Sequence, residues 1–341
     1  MRTDESGAGP ALPSRTLGRS GVRVTALGFG AAAVAGLYEA VGEDEAATAV
    51  DAAWDAGIRY FDTAPHYGLG LSERRLGAAL RARPRDEFTV STKVGRVLVP
   101  YDGGGDDRAA GFAVPATHRR MWDFSADGVR RSLEDSLTRL GLDRVDLVLL
   151  HDPDDHEERA FREAYPALEE LRSQGVVRAI GAGMNQSRML ARFLTDTDVD
   201  AVLCAGRYTL LEQGALDALL PAAEAAGKSV IVGGVFNSGL LADPEPGARY
   251  DYAAAPEDVL RRAVRMREIT ESQGVPLRAA ALRFPFGHPA VASVLVGARS
   301  AHQVRDAAEQ FHRPVPDTVW QALRAQDLLS GGVPVPGKRV P

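Results

Sequence analysis

Four ionisable side chains stand at or just beyond the ends of three predicted strands. Asp62 and Tyr67 fall in one short loop after a predicted strand, and Lys93 and His151 end two later apolar runs. The carboxyl ends of parallel strands meet at one rim of an α/β barrel, so we expect the four side chains to converge there. An aspartate, a tyrosine, a lysine and a histidine at one place predict proton transfer to or from a carbonyl or hydroxyl oxygen.

Each of the four side chains has a distinct expected role. A phenol has a pKa of about 10, so Tyr67 needs a neighbouring cation to act as a general acid/base near neutral pH. Lys93 supplies that charge, Asp62 compensates and orients Lys93, and His151 offers a hydrogen bond to the reacting oxygen. Taken singly, each residue also fits a surface or packing position. Their joint occurrence at the ends of predicted strands two, three and four favours catalysis.

Short β-branched runs alternate with helical patterns, which predicts a parallel sheet covered by helices. The predicted strands span 24–29, 58–62, 88–92, 145–150, 176–181, 199–204, 229–233 and 293–296. The predicted helices span 43–56, 72–82, 126–140, 157–174, 186–194, 212–226, 256–273 and 300–310. Eight such units favour a closed (β/α)8 TIM barrel of the α/β class over an open doubly wound sheet.

Two additions to the barrel are expected, an N-terminal β-hairpin at 15–25 and a long loop after strand three. That loop, from Gly95 to Phe124, holds roughly 30 residues without clear periodicity. It is interpreted either as a wall of the substrate pocket or as a mobile surface loop. The expected domain organisation is a disordered tail at 1–14, a single barrel at 15–330 and a C-terminal tail at 331–341.

The composition is that of an ordinary globular protein. The 341 residues carry a formal net charge of −6 with a pI of about 5.7, which argues against a nucleic-acid surface. Cys204 is the single cysteine, so no intramolecular disulfide can form, which fits a reducing compartment. No apolar stretch approaches the ~20 residues of a membrane helix, and the first fourteen residues lack the apolar core of a secretory signal. These features predict a cytoplasmic protein, a monomer or weak homo-oligomer without a membrane partner.

Two other motifs suggest different chemistry and are rejected. The segment 28–33 formally fits the dinucleotide fingerprint G-x-G-x-x-A, but Asp62 follows more than thirty residues later, where an acid is expected after about twenty. The segment 151–156 contains two histidines and three aspartates. Pro153 favours a turn there and no other ligand set is evident, so no metal is predicted.

The chain resembles the aldo-keto reductase family over roughly residues 15–312. The resemblance is carried by the motifs Phe61-Asp62-Thr63-Ala64, Tyr67-Gly68, Ser72-Glu73, Ser91-Thr92-Lys93 and Asp146-Leu147-Val148-Leu149-Leu150-His151. It implies the barrel fold and the four catalytic roles given above. It also implies NADP or NAD bound in an extended form across the barrel mouth, because none of the four side chains can accept a hydride.

The resemblance further implies which residues contact the cofactor. The expected contacts are Gly30, Asp62, Asn185, Arg207, Tyr208, Phe236, Asn237, Ser238, Gly239, Leu241, Gly297, Arg299, Ser300 and Gln303. Met184 stands where many members have serine, and Ala307 stands where the family has asparagine. The lysine that many NADPH-preferring members place after strand eight is absent, which leaves the choice between NADP and NAD open.

Within the family, the pattern is most similar to bacterial sugar dehydrogenases of the L-fucose or D-threo-aldose type. The segments that carry this similarity are 93–98, 151–154, 183–186 and 236–241. It implies oxidation of the anomeric hydroxyl of an aldose to a lactone, with Tyr67 as the base. The expected substrate contacts come from Trp122, His118 with its neighbour Arg119, and Asp152.

Three other functions stay open at this point. The first is an NADPH-dependent reductase of aldehydes or ketones, or a pyridoxal-type dehydrogenase of the same family. The second is a cofactor-sensing regulatory subunit, which would not need Tyr67. The third is a catalytically silent barrel used as an interaction scaffold, which would bind no cofactor.

Overall fold

A computed structural model describes residues 11–337 of the chain. Residues 1–10 and 338–341, which belong to the two predicted tails, lie outside the described residues. Within the predicted N-terminal tail, Leu12 is buried in the core and Ser14 begins the first strand, so regular structure starts earlier than predicted. The domain boundaries otherwise stay a prediction.

Eight parallel strands close into a barrel, which confirms the predicted α/β TIM-barrel fold. In chain order they are β3 (Leu27–Gly30), β4 (Tyr60–Asp62), β5 (Thr89–Val94), β8 (Leu147–His151), β9 (Ala179–Met184), β10 (Ala201–Ala205), β11 (Ser229–Gly233) and β14 (Val291–Gly297). Each strand pairs with the next one in this order, and β14 pairs with β3 to close the ring. All eight carboxyl ends therefore meet at one rim.

Alternation along the strands decides which side chains enter the barrel. In β8, Leu147 and Leu149 belong to the core inside the barrel, whereas Val148 and Leu150 belong to the larger core between strands and helices. His151 is two residues beyond Leu149 and shares its inward face. Asp62 follows the inward Tyr60 in the same way, so strand geometry directs both polar side chains into the mouth.

The predicted N-terminal hairpin is present and closes the bottom of the barrel. It pairs β1 (Ser14–Thr16) with β2 (Arg23–Thr25) in antiparallel register. Leu17, Val22 and Val24 of this hairpin are buried in the inner core, opposite the rim that carries the polar side chains. The open end of the barrel is therefore the carboxyl end alone.

Helices cover the outside of the barrel. They are α1 (Glu43–Asp55), α2 (Leu71–Leu80), α3 (Ala126–Leu140), α4 (Glu157–Arg159), α5 (Tyr165–Ser173), α6 (Ser187–Asp196), α7 (Leu219–Ala226), α8 (Glu257–Ser272), α9 (Leu277–Arg283), α10 (Ala301–His312) and α11 (Asp317–Ala325). The predicted helix at 157–174 is divided by a π-helical turn at Ala160–Ala164. Pro166 follows this turn at the start of α5, and it cannot donate a backbone hydrogen bond to the preceding turn. Helices α9 and α11 were not predicted.

Two short antiparallel pairs project from the rim. The long segment after β5, expected to lack regular structure, forms a hairpin of β6 (Arg96–Pro100) and β7 (His118–Trp122). A second pair, β12 (Arg249–Tyr250) and β13 (Ala253–Ala254), lies in the connection between β11 and α8. The segment after strand three therefore contains regular paired structure at its two ends.

Candidate active site

A buried ion pair joins Asp62 to Lys93 at the rim. Lys93 Nζ donates to Asp62 Oδ2 at 2.7 Å and to the carbonyl oxygen of Thr63 at 3.0 Å. The hydroxyl of Ser91 donates to the other carboxylate oxygen at 2.7 Å. Burial alone lowers the pKa of Lys93, but the charges of Asp62 and Tyr67 outweigh it and raise that pKa above its ordinary value. Lys93 is therefore a fixed cation.

Tyr67 and His151 lie above this ion pair. Lys93 Nζ is 4.7 Å from the centre of the Tyr67 ring, and the rings of Tyr67 and His151 are 5.8 Å apart between centroids. Burial raises the pKa of Tyr67 above its ordinary value, and the charge of Lys93 opposes that rise. Burial, with the charges of Arg96 and Lys93, lowers the pKa of His151 well below its ordinary value. The phenol thus faces a cation and a neutral imidazole.

The four predicted side chains surround the inner end of a cavity of about 640 Å³ at the mouth of the barrel. Tyr67, Lys93 and His151 line it, and Asp62 supports Lys93 from behind. Asp152 also lines it, with its backbone in the left-handed region at φ +43°. This conformation is rare outside glycine and marks a constrained position beside His151.

Arg96 contributes a second charge pair to the cavity. Its guanidinium pairs with the carboxylate of Asp152, and Asp152 Oδ2 is 3.6 Å from His151 Nε2. Arg96 lines the cavity although it was named only within a resemblance motif. Its position at the start of β6, three residues after Lys93, is the signal that could have identified it.

His66 is a cavity residue that sequence reasoning passed over. Its ring lies 5.5 Å from that of His151 and 5.4 Å from that of Phe112 between centroids. Burial, followed by the charges of Arg96 and Arg120, lowers its pKa to about 2. Nδ1 of His66 has no hydrogen-bond partner among the described residues. Its place immediately before Tyr67 in the loop after β4 was the available signal.

Three expected substrate contacts, Trp122, His118 and Arg119, do not line the cavity. The rings of Trp122 and Phe124 stack with their centroids 5.9 Å apart, and the guanidinium carbon of Arg96 lies 4.2 Å from the centre of the Trp122 ring. Arg96 therefore lies between Trp122 and the cavity. His118 contacts Thr117 at the far end of the hairpin, where β7 pairs with Pro100. The wall is completed by Arg108 and Phe112 from the segment between β6 and β7, and by Tyr38, Arg249 and Tyr252 from the connections after β3 and β11.

Among the predicted cofactor contacts, Asn185 lies at the cavity itself. Asn185 follows β9, lines the cavity and donates from Nδ2 to the carbonyl oxygen of Ala205 at 3.1 Å. Gly30 ends β3 and pairs with both Asp62 and Gly297, so it belongs to the same rim. Arg207 follows β10 and forms an ion pair of 2.9 Å with Asp251.

The loop after β11 holds four more predicted contacts in a tight turn. Asn237 and Ser238 have positive φ values of +46° and +59°, and Gly239 has +102°. The buried amide of Asn237 accepts a hydrogen bond from Thr209 at 2.7 Å, so it stabilises the turn. The hydroxyl of Ser238 accepts from the backbone nitrogen of Tyr252 at 3.1 Å. Phe236, partly exposed, precedes this turn and packs against the outer core.

The structure places two of the predicted cofactor contacts, Tyr208 and Leu241, away from the surface of the rim. Both are fully buried in the core. The Tyr208 ring packs 5.3 Å from Phe284 and edge-on to His288, on the helix side of the barrel. Its neighbour Arg207 is partly exposed and pairs with Asp251 instead.

The last predicted contacts surround the beginning of α10. Ser300 caps this helix by accepting from the backbone nitrogen of Gln303 at 3.3 Å, and Gln303 Oε1 accepts from the backbone nitrogen of Arg299 at 3.0 Å. Gly297 ends β14 beside them. The guanidinium of Arg299 forms an ion pair of 2.6 Å with Glu39, from the loop after β3.

The rim fits a nicotinamide dinucleotide. A helix N-terminus with an adjacent arginine is an anion site, and α10 with Arg299 provides one. The cavity beside Asn185 adjoins Tyr67 and is large enough for a ring and a small substrate. Residues at the ends of β9, β10, β11 and β14 could therefore hold the cofactor, and those at β4, β5 and β8 face the reacting centre.

Residues 11–337 contain neither the side-chain arrangement of a metal site nor a helix suited to a membrane. No group of three or more His, Cys, Asp or Glu side chains in this range is arranged to hold a metal ion. The segment with two histidines forms a short 3-10 turn at Asp154–His156. Cys204 is buried in β10, and burial raises its pKa to about 12. None of the described helices is long and apolar enough to cross a membrane.

Comparisons with known proteins agree with this geometry. The sequence profile of the Aldo/keto reductase family matches residues 26–327. D-threo-aldose 1-dehydrogenase from a Pseudomonas species is 47% identical over 316 residues, which is 91% of this chain and 96% of that protein. Pyridoxal 4-dehydrogenase from Microbacterium luteolum is 40% identical, covering 94% and 99% of the two chains. L-galactose dehydrogenase from Arabidopsis thaliana is 33% identical, with 86% of each chain covered.

Solved structures of similar proteins share the whole fold. The holo form of an aldo-keto reductase from Bacillus halodurans has a TM-score of 0.75 and 28% identity, covering 94% of this chain and 98% of that one. A glycerol dehydrogenase from Gluconobacter oxydans has a TM-score of 0.72 and 25% identity, covering 96% and 98%. The chain therefore belongs to the aldo/keto reductase family and is an oxidoreductase that uses a nicotinamide cofactor on small carbonyl compounds.

Proposed function

We propose that this enzyme oxidises the anomeric hydroxyl of an aldose to a lactone, with Tyr67 as general base. The observation that carries the proposal is the position of Tyr67 over a fixed cation, with Lys93 Nζ at 4.7 Å from its ring centre. The similarity to a D-threo-aldose 1-dehydrogenase over nearly the whole chain supports the choice of substrate class.

Tyr67 takes the proton from the hydroxyl that reacts. Its pKa is raised by burial, and the positive charge of Lys93 favours the phenolate and so opposes that rise. Lys93 remains charged because Asp62 binds it at 2.7 Å inside the barrel. The ion pair therefore keeps Tyr67 able to accept a proton in a site where burial alone would prevent it.

His151 and Asp152 orient the substrate. A neutral His151 can donate one hydrogen bond to the reacting oxygen, and its low pKa keeps it from becoming a competing cation. Asp152, paired with Arg96, presents a carboxylate and a guanidinium to the cavity. The carboxylate can accept a hydrogen bond from one hydroxyl group of a sugar, and the guanidinium can donate one to a neighbouring hydroxyl group.

Residues on the other half of the rim would hold the cofactor. When bound, a nicotinamide cofactor supplies the acceptor for the hydride that leaves carbon one of the sugar. Asn185 is proposed to bind its carboxamide, and Arg299 with Ser300 and Gln303 its adenosine end. The turn at Asn237 to Gly239 is proposed to approach the pyrophosphate through backbone groups.

A second candidate substrate is pyridoxal. The similarity to pyridoxal 4-dehydrogenase covers almost the full length of both chains, and Phe112 with Tyr252 gives the cavity aromatic walls. The same residues would act on its alcohol or hydrated aldehyde. A reductase that consumes NADPH with simple aldehydes is the remaining alternative. We also propose that the protein is cytoplasmic and that it is a monomer or a weak homo-oligomer. Size-exclusion chromatography with light scattering measures its oligomeric state.

The first test follows the absorbance of reduced nicotinamide with purified protein. NAD and NADP are offered separately with L-fucose, D-arabinose, L-galactose and pyridoxal at mildly alkaline pH. We expect reduced cofactor to form with at least one aldose. Cofactor reduction with pyridoxal alone would select the second candidate, and NADPH consumption with aldehydes alone would select the reductase.

The second test removes the base. Tyr67→Phe should lower kcat by about 10²- to 10⁴-fold because the proton acceptor is lost, while the Kd of the cofactor is unchanged. Tyr165→Phe is the matched control, since that hydroxyl binds Glu169 on the outside of the barrel. Full turnover by Tyr67→Phe would contradict the proposed mechanism.

A further inference from the structure

One acidic side chain reaches the proposed cofactor site from a loop that carries no motif. Glu39 lies in the connection between β3 and α1, and its Oε2 is 2.6 Å from Nη1 of Arg299. Arg299 precedes α10, and its backbone is held by the side chain of Gln303. Both charged groups are accessible to solvent, so a ligand at the start of α10 can meet both of them.

The ion pair changes what the start of α10 can bind. An arginine beside a helix N-terminus alone would attract a phosphate. Here the guanidinium already has a carboxylate partner, so a phosphate must displace Glu39 or lie against its negative charge. A ribose hydroxyl, in contrast, can donate a hydrogen bond to that carboxylate. This is the physical distinction between an acidic residue and an arginine in recognition of the 2′ position of a dinucleotide.

No second cation compensates in this segment. From Gly297 to Gln303 the sequence contains one arginine and no lysine. The one arginine that this segment offers to a 2′-phosphate is therefore the one that Glu39 binds. Removing the carboxylate would release it.

We propose that Glu39 makes this enzyme prefer NAD to NADP by neutralising Arg299 and repelling a 2′-phosphate. The inference rests on the proposed function, since it requires the adenosine end of the cofactor to lie at α10. It adds a specificity-determining residue from the loop after β3.

The test measures cofactor binding rather than turnover. The Kd values of NADH and NADPH are determined by fluorescence titration for the wild type and for Glu39→Gln. We expect the wild type to bind NADH at least about tenfold more tightly than NADPH, a difference typical of one interaction with a charged group. Glu39→Gln should tighten NADPH binding by about the same factor, and it should change the Kd of NADH much less, because the amide oxygen still accepts from the ribose hydroxyl.

Two further variants make the outcome specific. Glu45→Gln, which removes the same charge from the first turn of α1, should leave both Kd values as in the wild type. Arg299→Ala combined with Glu39→Gln should abolish the gain in NADPH binding, because the released cation is then missing. Equal binding of NADH and NADPH by the wild type, or no change of NADPH binding in Glu39→Gln, would overturn the proposal. Wild-type protein that binds neither cofactor would overturn the proposed function as well.

Discussion

Lys93 connects the stability of the site to its chemistry. It is fully buried, binds Asp62 and Thr63, and lies under the ring of Tyr67. A buried charge without a partner is costly, so each member of the Asp62–Lys93 pair requires the other. The same charge favours the phenolate of Tyr67. A substitution here should therefore affect folding and the pH dependence together.

Lys93→Met should show both effects. Asp62 is left buried without its cation, which should lower the free energy of unfolding by about 3–5 kcal/mol. The pKa of Tyr67 should rise because the phenolate loses its neighbouring positive charge, so the rise of kcat/KM with pH for sugar oxidation should move to higher pH. Urea unfolding and a pH–rate profile measure the two effects.

Lys228→Met provides the comparison for that experiment. Lys228 donates to the carbonyl oxygens of Leu194 and Thr197 on the outside of the barrel. Its removal should not shift the dependence of kcat/KM on pH. An unchanged profile for Lys93→Met would mean that Lys93 does not tune Tyr67.

The sequence predicted the four proposed catalytic residues because the information is local. Each lies at the end of a strand or in the loop directly after it, and strand alternation then decides its direction. The same reasoning did not give the positions of Tyr208 and Trp122. Both Arg207 and Tyr208 were expected at the rim, and the structure places Tyr208 in the core. Trp122 does reach the right region of the molecule, but Arg96 from the paired strand lies in front of it.

At the scale of elements, the β6–β7 hairpin supports the loop that carries Tyr67. Arg120 of β7 donates from Nη2 to the carbonyl oxygen of His66 at 2.8 Å. It also pairs with Asp107, whose carboxylate accepts from Nη1 at 2.7 Å. The residue before Tyr67 is thus fixed by a side chain more than fifty positions away along the chain. This contact could not be predicted, because the hairpin itself had no recognisable period.

Arg120→Ala should reduce catalysis without abolishing it. Loss of a hydrogen bond from a charged donor costs about 1.5–3 kcal/mol and leaves the carbonyl of His66 and the carboxylate of Asp107 without their partner. We expect kcat/KM to fall by roughly tenfold or more, since the position of Tyr67 becomes less defined. Steady-state kinetics with the aldose that gives the highest turnover measures kcat/KM.

The neighbouring residue gives a matched control. Arg119 stacks on Tyr101 at 3.8 Å from the ring centre and makes no contact with the loop after β4 among the described residues. Arg119→Ala should therefore keep the wild-type kcat/KM. Equal losses in the two variants would indicate a general weakening of the hairpin instead of a specific role of Arg120.

At the scale of the whole molecule, two histidines at the mouth of the barrel make folding depend on pH. His66 has its pKa lowered to about 2, and the pKa of His151 is well below its ordinary value. In the unfolded chain both have a pKa of about 6.5. Below that value the unfolded state binds protons that the native state excludes, so acid favours unfolding. The stability contribution is fully present above about pH 6.5 and is lost as the pH falls.

Urea unfolding from about pH 7.5 down to about pH 5 should show this loss. Each histidine should contribute a slope of about 1.4 kcal/mol per pH unit once the pH is well below 6.5. His66→Asn should reduce the slope by one such contribution, whereas His302→Asn at the exposed surface of α10 should not. A slope that is equal in the wild type and His66→Asn would show that His66 does not resist protonation in the native state.

The barrel itself was predictable because its eight strand–helix units repeat one pattern of glycine, apolar strand and amphipathic helix. The connections were not predictable. The strands β6 and β7, like β12 and β13, pair only with each other within one connection, and this pairing leaves no recognisable period in the sequence. The catalytic centre therefore followed from sequence to a greater extent than the walls of the cavity did.

The antiparallel pairing of β6 with β7 has a consequence for how such an enzyme acquires new substrates. Arg96 faces Trp122 across the hairpin, so the excursion leaves and re-enters the barrel at neighbouring points. Its tip can lengthen, shorten or be exchanged for that of a relative while β5 and α3 keep their places. A graft of residues 97–121 from a relative would therefore change this part of the cavity wall, and it would leave the support of Tyr67 in place only if Asp107 and Arg120 are kept.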